Sequence, residues 1–268
     1  MPPRRERRRR SALVTGASVG IGRAFAERLA RDGWDVTIVA RRGGRLRSLA
    51  RTLHGRHGVR MSVVVADLTT PEGLAAVESR IERDRDLELL VNNAGMSDFG
   101  PFHERARASH DAEVRLNVLA MVRLTHAALP GMIRRGAGAV VNLSSLAAFQ
   151  PCPFIATYGA TKAFAISFSE ALREELRGTG VHVQALCPGG TQTELFERAG
   201  VDVSGLPTFV WMEPDAVVDA SLATLARGGG ICVPGIGNRA LSSLTGLLPA
   251  ELLLRLGGAV GRRIRRTS

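Results

Sequence analysis

The sequence predicts an α/β protein: a single doubly wound domain on a parallel sheet of about seven strands, with helices on both faces. Three observations carry this. Short apolar, β-rich runs alternate with longer stretches of helical spacing from residue 12 to residue 233. A glycine cluster falls between the first of these strands and the first helix, where a βα unit must turn. The 268 residues also suit one large core, since α/β folds often reach this length as one unit. Repeated βα units place ligands at the carboxyl ends of the strands.

The elements follow in order. Residues 12–15 form a strand and 23–31 a helix. Between them Gly16, Gly20 and Gly22, with Ser18 and Ile21, make a loop whose backbone can approach a ligand closely. The helix behind it offers N–H groups to a pyrophosphate. The spacing is G-x-x-x-G-x-G, a variant of the commoner dinucleotide pattern, and a tight turn without a ligand is the other reading. Residues 35–40 are the second strand. At its end, where a dinucleotide fold places a carboxylate for the ribose, stand Arg41 and Arg42. That exchange favours a 2′-phosphate, hence NADP over NAD, against the alternative of a solvated arginine pair.

Residues 45–57 read as a helix with Leu46, Leu49 and Leu53 on one stripe. A third strand at 61–66 ends in Asp67-Leu68, placed for an adenine amino group. Residues 71–84 are a helix with Pro71 at its start, and 87–91 a fourth strand ending in Asn92-Asn93-Ala94-Gly95. The amides there can tie neighbouring strand ends together, and the small pair leaves room for a ligand. A long helix at 110–135 contains Asn117, an amide in an apolar run that is either a satisfied core group or part of a site. The fifth strand, 139–143, leads into Ser144-Ser145. Tyr158 opens a helix to about residue 177, and a sixth strand follows at 181–186. After it come Pro188-Gly189-Gly190-Thr191-Gln192-Thr193, a loop with Leu195, Phe196, Phe209, Trp211 and Met212, a helix at 214–227 and a last strand at 231–233.

Tyr158 is the only tyrosine and Lys162 the only lysine of the chain. Four residues apart on a helix, they share a face. A chain that otherwise writes its cation as arginine has a chemical reason for this exception. Lysine is a compact point charge that can lower a neighbouring phenol's pKa from about 10 and pass a proton on, which arginine cannot do.

The net charge of +11 is concentrated at the ends. Residues 1–10 hold six arginines against Glu6, and 262–266 hold four more, leaving the body close to neutral. The basic tails read as solvated and disordered rather than as a nucleic-acid surface, and aromatic platforms for bases are scarce at 4% of the chain. Cys152, Cys187 and Cys232 show no metal-ligand spacing, so no metal is expected, and their odd number suits a reducing compartment. No stretch reads as long and apolar enough to span a membrane, and a cytoplasmic protein is expected.

Taken together, T-G-A-S-V-G-I-G at 15–22, N-N-A-G at 92–95, Asn117, Ser145, Y-G-A-T-K at 158–162 and P-G-G-T-Q-T at 188–193 resemble the short-chain dehydrogenases/reductases. The resemblance covers residues 11–235 and implies a Rossmann-like fold, NADP(H) and a homodimer or homotetramer. It makes Tyr158 the general acid/base and Lys162 the residue that lowers the tyrosine pKa and binds the nicotinamide ribose. Ser145 would hold the substrate oxygen, and Asn117 would anchor a water in the proton relay. For the cofactor it assigns Gly16, Ser18, Gly20, Ile21 and Gly22 to the pyrophosphate and Arg41, helped by Arg42, to the 2′-phosphate. Asp67 and Leu68 fall at the adenine, Asn93, Ala94 and Gly95 at the adenosine ribose, and Pro188, Gly189, Thr191 and Thr193 at the nicotinamide amide. The chemistry agrees, because a carbon that gains or loses hydride carries an oxygen that needs both a proton donor and a hydroxyl clamp.

The reading is therefore an NADP(H)-dependent oxidoreductase acting on a small, apolar carbonyl or alcohol substrate. Its rival is a binding or scaffold protein on the same fold without turnover, against which the intact Ser145, Tyr158 and Lys162 set argues. Residues 1–10 are set aside as a basic tail, 11–235 as the catalytic domain and 236–268 as an amphipathic extension. The leucine-rich part of that extension reads as broken at Pro249 and Gly257-Gly258 but packed. Packing on protein, covering an apolar substrate and resting on a membrane surface all remain open for it.

Overall fold

A computed structural model describes residues 10–191, 211–245 and 249–263 of the chain. Seven parallel strands form one sheet: β1 (Ser11–Thr15), β2 (Asp35–Ala40), β3 (Met61–Val65), β4 (Leu87–Asn92), β5 (Gly138–Leu143), β6 (Val181–Leu186) and β9 (Ile231–Cys232). Their order is β3-β2-β1-β4-β5-β6-β9. The direction of winding reverses between β1 and β4, which opens a crevice at the carboxyl ends of those two strands. A short pair, β7 (Gly190–Thr191) with β8 (Trp211–Met212), lies outside the main sheet and was not expected from the sequence.

Period-2 alternation explains the two cores. On β1, Ala12 and Val14 face one layer and Leu13 the other. The first layer is filled by Phe25 and Leu29 of α1 (Gly20–Arg31), Leu46 and Leu53 of α2 (Gly43–His57) and Val217 of α7 (Pro214–Leu225). The second takes Val77 and Ile81 of α3 (Pro71–Arg83), and Leu124, Ala128 and Met132 of α5 (Ala120–Arg135). Helix ends follow local chemistry. Thr70 caps α3 by accepting from the Gly73 N–H at 3.1 Å, with Pro71 in its first turn. Gly58 and Gly136 end α2 and α5 in the left-handed region, at φ 66° and 64°.

The long helix expected at 110–135 is present but not uniform. It runs as α4 (Arg107–Val114), a π-helical turn (Arg115–Leu119) and then α5. Such turns often mark functional positions, and this one carries Asn117. By length and hydropathy alone Arg107–Arg135 does pass for a membrane span, which corrects the expectation that no stretch would. Here its apolar stripe packs on the sheet.

The C-terminal extension forms two helices, α8 (Ile236–Thr245) and α9 (Ala250–Arg263). The expected break at Gly257-Gly258 does not occur, because the glycines serve contact instead. A Cβ on Gly257 would lie 3.3 Å from Pro153, and one on Gly261 would lie 2.2 Å from the Phe154 ring. Small residues thus let α9 seat on the loop before Tyr158. The leucines are less covered than expected: Leu241, Leu244, Leu252 and Leu254 remain 52%, 50%, 44% and 38% exposed. Leu247 and Leu248 lie outside the described residues. At the other end, Arg10 is not part of a loose tail. Its guanidinium stacks over Trp34 at 4.4 Å, and its carbonyl accepts from Asp35 N–H.

A bulky side chain at position 261 has nowhere to go while α9 is docked. Gly261→Leu is expected to release α9, seen as faster hydrogen exchange and proteolysis within 250–263. Gly258→Ala meets only the mobile tip of Arg262 and should leave α9 in place, with a helix gain of roughly 0.5–1 kcal/mol.

Candidate active site

The carboxyl end of β5 and the helix α6 (Ala156–Glu175) build the centre of the site. Lys162 is buried, and its Nζ donates to the carbonyl of Leu143, the last residue of β5, at 2.7 Å. Its own carbonyl accepts from the Ser144 hydroxyl at 2.7 Å. The two serines therefore divide the work. Ser144 is buried and positions Lys162, whereas Ser145 faces Tyr158 within hydrogen-bond reach of the phenol. Ser145 Oγ also accepts from Ala147 N–H at 3.2 Å, which fixes its rotamer. The Lys162 ammonium stands 5.5 Å from the centre of the Tyr158 ring, so the helical spacing does bring the pair together.

The electrostatics differ from the sequence expectation of a phenol acidified by lysine. Burial pushes Tyr158 up to about 12, eased by the Ser145 hydrogen bond and raised further by Glu113 and Cys152. Burial likewise pulls Lys162 down to about 8, against the charges of Cys187 and Glu113, which raise it. Desolvation is the largest cause for both groups, with Lys162 buried and Tyr158 half-buried.

Asn117 is placed by the π-helical turn. Its Oδ1 accepts from Met96 N–H at 3.0 Å, while Nδ2 donates to Met96 O at 2.9 Å and to Thr161 Oγ1 at 3.1 Å. It thus ties the loop following β4 to α6. A Cβ on Gly95 would stand 3.3 Å from Asn117 Oδ1 and 3.5 Å from Lys162 Nζ, so the glycine keeps the space between amide and ammonium open.

The glycine loop sits at the switch point, on a polar knot centred on Thr15. Its Oγ1 donates to Val91 O at 3.2 Å and accepts from the N–H groups of Asn93 and Ala94, both at 3.0 Å. Asn93 Nδ2 donates back to Thr15 O at 2.8 Å. A Cβ on Gly16 or Gly22 would meet that Nδ2 at 2.7 or 2.3 Å. These two positions are held to glycine by the protein's own packing, a reason the sequence alone did not give. Gly20 turns at φ 55° into α1, and no side chain caps that helix, which leaves its first N–H groups facing the crevice. Ser18 and Ile21 lie in the same loop.

At the end of β2, Arg42 donates to Ser18 Oγ at 3.0 Å, and Arg41 reaches Asp67 Oδ2 at 3.7 Å. Burial raises the Asp67 carboxyl, but hydrogen bonds from Thr69 and the Arg41 charge bring it below its usual range overall. Leu68 is buried in the second core. Beyond β6, Pro188 accepts from Leu146 N–H at 3.0 Å. Gly189 lies against Asn238 of α8, and Thr191 donates to Gly189 O at 3.2 Å. Thr193 lies outside the described residues. The sequence reading assigned no role to Thr15, Ser144, Thr161 or Asn238. Only the place of Thr15 beside the glycines could have flagged it.

The donor set fits a dinucleotide phosphate: an uncapped helix N-terminus behind a glycine turn, two arginines where a 2′-phosphate would lie, and a buried lysine with spare N–H groups. Residues 10–203 match the family model for short chain dehydrogenase. Sulfoacetaldehyde reductase 2 of Chromohalobacter salexigens is 40% identical over 194 residues, 71% of this chain and 76% of that protein. A very-long-chain 3-oxoacyl-CoA reductase of Phaeosphaeria nodorum is 33% identical over 82% of the chain, which spans only 64% of that protein's length. Among solved structures, a short-chain dehydrogenase from Sphingobium yanoikuyae in complex with NADPH superposes with a TM-score of 0.83 at 40% identity, covering 89% of this chain and 93% of that one. The chain belongs to the short-chain dehydrogenases/reductases, oxidoreductases of CH–OH and C=O groups.

Proposed function

We propose that this protein interconverts a carbonyl and a secondary alcohol on an apolar substrate, with NADP(H) as the hydride partner and Tyr158 as general acid/base. The observation that carries the reading is the convergence of Tyr158, Lys162 and Ser145 at the mouth of β5. When bound, NADP(H) supplies or accepts the hydride. Gly16, Ser18, Gly20, Ile21 and Gly22 would hold its pyrophosphate, and Arg41 and Arg42 its 2′-phosphate. Asp67 and Leu68 would lie at the adenine and Asn93 to Gly95 at the ribose, with Pro188, Gly189, Thr191 and Thr193 at the nicotinamide. The NADPH complex of the Sphingobium relative supports the phosphate form. Ser145 orients the substrate oxygen. Tyr158 gives that oxygen a proton in reduction and takes one in oxidation, and the Lys162 ammonium stabilises the phenolate left behind.

An apolar substrate is supported by an aromatic pair on the loops that follow β4 and precede α6. Phe154 stacks on Phe99 with ring centres 5.9 Å apart, in a left-handed conformation (φ 70°) that is rare for a bulky residue. The two reductases named above are named for chemically different substrates, so similarity alone does not choose between them. A screen of NADPH oxidation against ketones and aldehydes, acyl-thioester ketones included, tests the reading directly. Turnover of bulky apolar ketones is expected, and no turnover across the panel despite NADPH binding would favour a binding-only protein.

Tyr158→Phe is expected to lower kcat on the order of a hundredfold to ten-thousandfold with cofactor affinity retained, as the ring volume is kept. Lys162→Arg should fail as well, because the wider fork cannot fit between Leu143 O and the Tyr158 ring. For the cofactor, Arg41→Ala and Arg42→Ala should each weaken NADP(H) binding by roughly 1.5–3 kcal/mol, a charge-assisted hydrogen bond's worth. NAD(H) affinity, measured by the same titration, should be unchanged.

A further inference from the structure

Among the described residues two charged side chains are buried, Lys162 and Glu113, at 3% and 1% exposure. Lys162 has its place in the site, but nothing above accounts for Glu113. It lies in the last turn of α4, four residues before Asn117, on a helix packed against α6. Its Oε1 is buried without a hydrogen-bond partner, while the carboxyl accepts from the backbone N–H of Asp98. A carboxylate so far from water, with one oxygen unpaired, costs more than any packing it offers. A protonated carboxyl in the same place costs far less.

The charges that face it come from three sides. Lys162 and Tyr158 lie across on α6, both close enough to exchange influence with the carboxyl. Asp98 lies on the loop after β4, held by Arg105 (Nε to Oδ2, 2.7 Å) and by the Ser109 hydroxyl (2.6 Å). His110, on Glu113's own helix, is engaged by Thr157 Oγ1 at 2.9 Å and Phe102 O at 3.2 Å. Burial raises the Glu113 carboxyl to about 7; the Asp98 N–H opposes that, the Asp98 charge adds to it and Lys162 eases it.

We propose that Glu113 is the proton carrier of this site, acting through Lys162 and exchanging protons with solvent on the Asp98 side. In reduction the Tyr158 O–H bond breaks and its proton goes to the substrate oxygen. The phenolate then takes a proton from the Lys162 ammonium. The resulting amine takes one from the Glu113 carboxyl, which faces it across the α4–α6 contact. The Glu113 carboxylate is recharged from a solvent acid. Oxidation runs the same steps backwards, and no electrons move along this path. The proposal rests on the assignment of Tyr158 as acid/base.

The test is the pH profile of kcat for Glu113→Gln, a near-isosteric change that cannot carry a proton. Wild-type reduction should slow as pH rises through about 7, where the carrier loses its proton, and oxidation should gain over the same interval. The variant should lose that limb and turn over more slowly, on the order of tenfold, less than the loss of a positioned acid. Glu113→Asp should restore part of both. An unchanged profile, or a loss equal at every pH and not rescued by Asp, would overturn the proposal. Should the variant not fold, infrared spectra of the wild-type protein without cofactor decide. A buried carboxyl band that bleaches around neutrality supports the carrier, and its absence across that range refutes it. If the Tyr158 assignment itself were wrong, Tyr158→Phe would remain active. If only the carrier were wrong, Tyr158→Phe would be inactive while Glu113→Gln kept the wild-type profile.

Discussion

A buried cation has to be held, and Lys162 is held at both ends by the mouth of β5. Its ammonium rests on Leu143 O and its backbone carbonyl on the Ser144 hydroxyl. Those two bonds set the rotation and height of α6 against the sheet, and everything else at the centre is measured from them. They put the Tyr158 ring beside the ammonium and leave Ser145, the next residue of the turn, facing the phenol. The same grip explains why lysine survives here in a chain of arginines. A guanidinium buried on one carbonyl would leave most of its five donors unsatisfied.

The sheet supports that arrangement with a polar ladder through its centre. Asn92 Nδ2 donates to Thr125 and to Asn142, and Asn142 in turn to Ser169 of α6. Buried amides of this kind specify one register, since a slip would leave each of them unpaired. Thr15 does the same for the glycine loop, locking the β1 and β4 ends together through Asn93. The two halves of the site, phosphate loop and catalytic helix, are thus both fixed to one sheet, and Asn117 links the segment after β4 to α6 as well.

Most of the fold was legible because periodicity records burial. β1, buried throughout, shows its apolar centre Ala12–Val14 plainly, and the strands, helices and glycine stops follow it. The active-site pair was legible because rarity singled it out: one tyrosine and one lysine, four residues apart. The π-helical turn at Arg115–Leu119 was not, since an inserted residue leaves no trace in an apolar stripe. The extension was misread at Gly257-Gly258. Two glycines in a row look like a break until the helix has a neighbour, Pro153 and Phe154, that needs them small.

What the sequence determined by itself is therefore the set of groups and their order along the chain. These are the strands and helices, the glycine turn, the arginines after β2, and the phenol and amine on one helical face. Such features depend on neighbours within a turn or two, which the sequence contains. The tertiary structure decided what each group is worth. It made Ser144 a support and left Ser145 to face the phenol. It gave Gly16 and Gly22 to Asn93, and it moved Tyr158 and Lys162 away from their ordinary proton affinities. It also turned Glu113, one of 25 acidic residues, into a carboxyl shut away from water beside the only lysine. Desolvation and packing act between residues far apart in sequence, so only the folded chain could set them.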